Sequence, residues 1–133
     1  MITFNIEFNL DTLEAPLLEY IDQIQRTVAM DLWGALIKGT PIDTGRARAG
    51  WSIGINGKDD WAPGEIPVPE GWRKGRKPIY PKPKTPAIVK GSDYIVVYNN
   101  VGYIVPLNSG TSRRPGVFFV EKAVADVKAG ISL

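Results

Sequence analysis

Apolar and polar residues alternate strictly at the start of the chain. Ile2, Phe4, Ile6, Phe8 and Leu10 are separated by Thr3, Asn5, Glu7 and Asn9, the period of two that predicts a strand with one buried face. The period then changes. Leu17, Leu18, Ile21, Ile24, Val28, Leu32 and Leu36 recur at three- and four-residue spacing, which predicts a long amphipathic helix over 15–38. Asp11 and Thr12 are capping residue types, Pro16 is tolerated only in a first helical turn, and Gly39 and Pro41 close the run. Trp51, Ile53 and Ile55 alternate in a short strand that ends at the turn pair Asn56-Gly57. The run YIVVY at 94–98 is β-branched and aromatic without interruption, so it predicts a strand covered on both faces. Asn99 and Asn100 then supply a turn, and 101–107 fits either a second hairpin strand or a short helix. Val117, Val120, Val124 and Val127 predict a C-terminal helix over 116–129, ended by Gly130.

These elements predict an α+β fold in one domain over 1–133. A small antiparallel sheet is packed by one long helix in the N-terminal half and by a C-terminal helix. Between the strands lies an insertion at 57–91 that holds seven of the eleven prolines. Proline fixes φ and removes a donor, so this stretch can be neither a regular helix nor a central strand. It reads as an extended arm. Charge marks it as well. Arg73, Lys74, Arg76, Lys77, Lys82, Lys84 and Lys90 are seven bases with no acid among them, and a whole-chain charge of +2 leaves the remainder at −5.

Composition excludes more than it suggests. The chain has no cysteine and no histidine, which removes disulfides, thiolate and imidazole metal ligands, and Ser-His-Asp chemistry. No cofactor or metal is expected, and no enzymatic activity. No segment approaches the roughly 18 apolar residues of a membrane span. Residues 1–10 lack the basic and apolar regions of a signal peptide, so a soluble product made in the cytoplasm is expected.

The sharpest catalytic candidate is Asp43-Thr44-Gly45, the triplet of aspartic proteases, in which two such aspartates share a proton. Single-copy retroviral-type proteases dimerise to assemble that pair. Here, however, the triplet follows Lys38-Gly39-Thr40-Pro41 instead of ending an apolar strand, and Arg46 brings a charge next to it. Turn chemistry explains the same residues, with the aspartate accepting local backbone bonds and the glycine taking positive φ. Asp59, Asp60, Glu65 and Glu70 lack the spacing of a calcium loop and read as solvated acids. GWRKGRK at 71–77 lacks the spacing of a phosphate loop. The basic arm, interleaved with Trp61, Trp72 and Tyr80, admits three readings. It is a strap across an acidic neighbouring subunit, a mobile solvated loop, or a contact to nucleic acid through phosphates and stacked bases. Gly110 to Gly116 is a glycine-flanked turn in which Ser112 or Thr111 caps the last helix.

Taken together, Thr40-Pro41-Ile42-Asp43-Thr44-Gly45-Arg46-Ala47-Arg48-Ala49-Gly50-Trp51 resembles the hallmark of the tail-completion, or head–tail joining (neck), proteins of long-tailed phages. In that family a long helix is followed by T-P-[VI]-D-T-G-x-[LA]-R-x-[SG]-[WF], then by a tyrosine-containing stretch, a G-T-S-like turn, a proline and a last helix. The later elements correspond here to 103–107, Gly110-Thr111-Ser112, Pro115 and the helix from Gly116. The match runs in order over about 17–129, with the arm as an insertion. It departs at Ala47, where leucine is usual, and at Leu107-Asn108-Ser109, where Leu-Glu is usual.

The resemblance implies a non-enzymatic virion protein. Several copies, typically six, form a ring at the neck or head-proximal tail end that joins head to tail or terminates the tail. Connector and tail-tube proteins are the implied neighbours, and double-stranded DNA passes through without tight binding. Its location is the virion, preceded by the host cytoplasm during assembly. Asp43, Thr44, Gly45, Arg46 and Arg48 are then a structural turn motif, anchored by Asp43, with the arginines paired to acids or helix carbonyls. Trp72, Arg73, Lys74, Arg76, Lys77, Tyr80, Lys82, Lys84, Arg113 and Arg114 are the expected partner contacts.

Overall fold

The computed structural model of the chain describes residues 1–7, 15–84 and 94–130. Seven elements follow in order: β1 (Ile2–Glu7), α1 (Ala15–Gly39), α2 (Arg46–Ala49), β2 (Trp51–Ile55), β3 (Tyr94–Asn99), α3 (Ile104–Ser109) and α4 (Phe119–Gly130). The fold is α+β. Its three strands form one antiparallel sheet in the order β1-β3-β2, so the last strand made is the central one.

Register puts the alternating apolar residues on one face. Ile2, Phe4 and Ile6 pair with Asn99, Val97 and Ile95, and those same three residues pair with Trp51, Ile53 and Ile55. Helix α1 lies across this face, and α4 packs chiefly on α1. The shared core holds Ala29, Leu32, Trp33, Leu36 and Ile37 of α1, Trp51, Ile95 and Val97 of the sheet, and Phe119, Val120 and Ala123 of α4. The other face of β3 is covered too, with Val96 and Tyr98 both buried.

The buried stripe of α1 is not the one its sequence predicts along the whole helix. From Ala29 onward it follows the expected spacing. Before that, Asp22 and Gln25 are buried while Leu17 is exposed and Ile21, Ile24 and Val28 are only half-buried. Gln25 is accommodated because its amide donates to the carbonyl of Ile6 at 2.8 Å, and Asp22 pairs with Arg26 at 3.1 Å. Buried polar groups with such partners cost little.

Three further boundaries differ from the pattern. Asn99 does not turn the chain. It ends β3 fully buried, its amide donating to Ala47 O at 2.8 Å and its oxygen accepting from Val101 N at 2.9 Å. The ambiguous stretch after it becomes α3 and not a hairpin strand. Helix α4 begins at Phe119, three residues later than its valine spacing suggests, because Phe118 sits at φ 55. The capping candidates Asp11 and Thr12 lie outside the described residues, as does the arm beyond Lys84.

Candidate functional site

The T-P-I-D-T-G-R-A-R-A-G-W segment is first a joint between α1 and β2. Buried Thr40 donates to Leu36 O at 2.5 Å and accepts the indole N–H of Trp51 at 2.7 Å. The indole of Trp33 donates to Trp51 O at 3.1 Å. The end of the helix is thereby tied to the first residue of the strand. Gly45 takes φ 91, and a Cβ there would lie 3.1 Å from both Pro78 Cβ and Tyr80 O, so conformation and space both require glycine. At Gly50 a Cβ would meet Val101 Cγ2 at 2.6 Å and Asn99 Oδ1 at 2.7 Å. Asp43 is not the anchor of this turn. It is exposed, its carboxylate accepts no hydrogen bond among the described residues, and Thr44 Oγ1 supplies the local acceptor, for Arg46 N at 3.4 Å.

The second half of the site is the junction of α3 and α4. Asn108, buried, holds it together. Its carbonyl accepts from Val117 N at 3.1 Å and Phe118 N at 2.9 Å, its side-chain oxygen accepts from Val120 N at 2.9 Å, and its amide donates to both Glu121 oxygens at 3.1 Å. Asn108 therefore caps α4, which corrects the expectation for Thr111 or Ser112. Thr111 instead closes its own turn, accepting from Arg113 N at 3.2 Å and Arg114 N at 3.3 Å.

These two segments, far apart in sequence, face each other across a groove of about 660 Å³. Pro41 to Ala47 form one wall. Tyr103, Pro106, Leu107, Thr111, Arg114, Pro115 and Val117 form the other, and Lys74 reaches in from the arm. Uncovered apolar side chains line it: Ile42 is 43%, Tyr103 41% and Val117 62% exposed. Partial burial pushes the Tyr103 phenol above its ordinary pKa, opposed by the nearby Arg46 guanidinium. The groove thus joins an apolar floor to a rim with Arg46, Lys74 and Arg114 against Asp43 alone.

The arm is fastened at two places. Near its start, Asp59 accepts from Trp61 N at 3.0 Å and from the Tyr98 hydroxyl at 2.9 Å. Asn100 donates to Asp59 O and Trp61 O, each at 2.9 Å, and the Lys58 ammonium lies 5.6 Å from the Tyr98 ring centre. The two bonds to Asp59, that from Trp61 first, hold its carboxyl below the ordinary value of 3.8. Burial first, then the bond to Asp59, raises the Tyr98 phenol. Further on, the Arg46 guanidinium donates twice to Pro63 O, at 3.2 and 3.1 Å, and Tyr80 N donates to Thr44 O at 3.0 Å. Between these points, residues 64–77 stand in solvent apart from half-buried Trp72, which donates to Lys77 O.

Not every predicted contact residue faces outward. Tyr80 is 5% exposed and accepts from Ile66 N at 2.6 Å, so it braces the arm and is no partner contact. Arg73, Lys74, Arg76, Lys77, Lys82, Lys84, Arg113 and Arg114 are exposed, and among the described residues none is in an ion pair. Asp43, Thr44, Gly45, Arg46, Lys74 and Arg114 meet at the groove. Arg48 does not line it, and its Nε is buried without a hydrogen-bond partner. Lys82 and Lys84 instead line a separate cleft of about 510 Å³ with Trp61, Trp51 and Tyr98.

Sequence reasoning missed Ile42, Tyr103, Val105, Val117 and Phe118 as surface residues, and Asn108 as the cap. The apolar density of 101–107, high for a turn, was the signal for part of that patch. Among the described residues no helix is long and apolar enough to cross a membrane, and no group of three His, Cys, Asp or Glu could hold a metal ion. Comparison with models of protein families, with curated proteins and with solved structures finds no match.

Proposed function

We propose that this protein is a structural virion component of a tailed phage, a ring-forming subunit at the neck or tail end. It joins head to tail or terminates the tail and continues the DNA conduit, with connector and tail-tube proteins as neighbours. A ring of six copies, without enzymatic chemistry or cofactor, is the form this reading takes. The observation that carries it is the groove. The two segments that resemble the phage family, 40–51 and 103–117, build its facing walls, so the residues of the resemblance serve one surface. A ring of identical chains needs a surface on one copy that fits a different surface on the next. The exposed basic arm and the apolar groove with its basic rim both suit contact with unlike, acidic surfaces.

Deleting the gene from the phage that carries it, with complementation in trans, tests the role by electron microscopy of the lysate. DNA-filled heads beside unattached tails, or tails of abnormal length, are expected. Normal particles in normal number overturn the reading.

A second reading, nucleic-acid binding, is favoured by the unpaired bases of 73–84. It requires DNA affinity that falls with salt at a log–log slope near −0.9 per phosphate contact. A strongly adhesive lumen would stall DNA transit, which makes the structural role the better fit. Absence of salt-dependent binding dismisses the second reading.

A further inference from the structure

Both walls of the groove between 41–47 and 103–117 are held from behind by the chain's own bonds. Thr40 and Gly45 fix the first, through Trp51 and through close approach to Pro78 and Tyr80. Asn108 clamps the second by accepting from Val117 N and Phe118 N, and Gly110 bridges to Pro115. A Cβ on Gly110 would lie 2.4 Å from Gly116 N, and one on Gly116 2.6 Å from Ser109 O. The two passes of this loop therefore touch backbone to backbone. Pro41, Pro106 and Pro115 stiffen the lining further. A groove made ready in this way loses little conformational entropy when it is filled.

Its chemistry is divided. Ile42, Leu107 and Val117 offer aliphatic surface, and Tyr103 is the one aromatic ring among the described residues that line it. Arg46, Lys74 and Arg114 stand around them against a single carboxylate, Asp43. Among the described residues none of these three bases is in an ion pair. The Arg46 guanidinium donates twice to Pro63 O, and a neutral carbonyl holds that group in place without cancelling its charge. Neither internal stretch outside the described residues is flanked by a residue of the groove: 8–14 lies between Glu7 and Ala15, and 85–93 between Lys84 and Tyr94. The volume of about 660 Å³ falls within the roughly 300–1,000 Å³ of ligand sites. Nucleic acid fits it poorly, since an aliphatic floor gives bases no stacking platform and Asp43 repels phosphate.

We propose that the groove binds an extended acidic segment of a second protein. Leucine- or phenylalanine-type side chains of that segment seat over Ile42, Leu107 and Val117, and its Asp or Glu carboxylates pair with Lys74 and Arg114. This contact rests on the reading above in taking the partner to be a neighbouring protein, and adds what that protein presents. Lys74 belongs to the arm and Arg114 to the loop before α4, so a bound segment also ties the arm to the body.

Selection from a randomised peptide library on the immobilised full chain tests it. Enriched peptides are expected to combine Leu or Phe with Asp and Glu, and fluorescence anisotropy reads their affinity. Ile42→Asn/Val117→Asn, which removes apolar surface without changing charge, should weaken them about tenfold. Lys74→Glu/Arg114→Glu should weaken them about as much and, in a repeated selection, enrich peptides rich in Lys and Arg instead. All four positions are exposed, and circular dichroism checks that both variants fold. Lys122→Glu, exposed on α4 outside the groove, should leave binding unchanged. A selection that enriches no peptide, or enriches basic or uncharged ones, overturns the contact. So do acidic peptides whose affinity survives Ile42→Asn/Val117→Asn, because they sit on the bases alone. The virion role fails separately, if deletion of the gene leaves particles normal.

Discussion

The two halves of α1 belong to one continuous helix and meet different fates. From Ala29 to Ile37 it presents Ala29, Leu32, Trp33, Leu36 and Ile37 to the sheet and α4, all at most 8% exposed. Before that, the same spacing of apolar residues is left open, and Asp22 and Gln25 occupy the covered side. Stability is thus concentrated where α1 ends, against the 40–51 joint and the start of α4, where Phe119 packs beside Gly39. Among the described residues nothing covers Leu17 and Tyr20 of the open half. Uncovered stripes of this kind mark contact surfaces on soluble proteins.

The largest break in this comparison comes from equal truncations in the two halves. Leu36→Ala, at a fully buried position, is expected to destabilise by about 2–5 kcal/mol through lost burial and the cavity left behind. Leu17→Ala should stay within about 0.5 kcal/mol. Urea melts of both variants check the contrast, and equal losses would contradict it.

A smaller effect tests how the consolidated end is fastened. Asn108→Ala removes the cap of α4 and the partner of Glu121, and is expected to cost about 1–3 kcal/mol. Ser112→Ala, at one of the two positions the sequence offers for the cap, should be silent in thermal melts.

The arm is expected to respond to acid before the core does. The Asp59 carboxyl is held below 3.8 by its bonds to Trp61 and Tyr98. A depressed folded-state pKa gives a contribution that is present above the unfolded value and lost as pH falls through the folded one. The first fastening of the arm should therefore be intact at pH 5 and released below 3.8. Tryptophan emission followed from neutral pH downward reads this, and Asp59→Asn, which cannot titrate, should flatten the change.

The smallest expected effect is at the residue that looks most chemical. Asp43→Ala should leave stability within about 0.5 kcal/mol, because its exposed carboxylate takes no part in the turn. A larger loss by denaturant titration would restore Asp43 as an anchor.

The fold was largely legible. Period-two alternation located β1 and β2, a continuous β-branched run located β3, and helical spacing located α1 and α4. What could not be read is what depends on distant partners. The face of α1 that is buried near its start is set by the Ile6 carbonyl waiting for Gln25. The cap of α4 comes from Asn108, eleven residues before the helix, so no local capping pattern points to it. The groove escaped for the same reason, since its walls come from segments on either side of the arm. The types of residue in the 40–51 motif were readable, but not the division of labour within it. Thr40, Gly45 and Gly50 hold the joint, while Asp43 faces solvent.

The central position of β3 also governs how the chain is made. Both edge strands pair with it, and Ile2 must find Asn99, so no part of the sheet can close until that strand has been synthesised. At about 5–20 residues per second, β1 waits on the order of 5–20 s for its partner. During that interval Ile2, Phe4 and Ile6 have no native strand beside them, and pairings between distant strands are slow to form even on a complete chain. The nascent protein is therefore most prone to aggregate before its middle strand emerges, and a truncation that ends within the arm should be insoluble rather than partly folded.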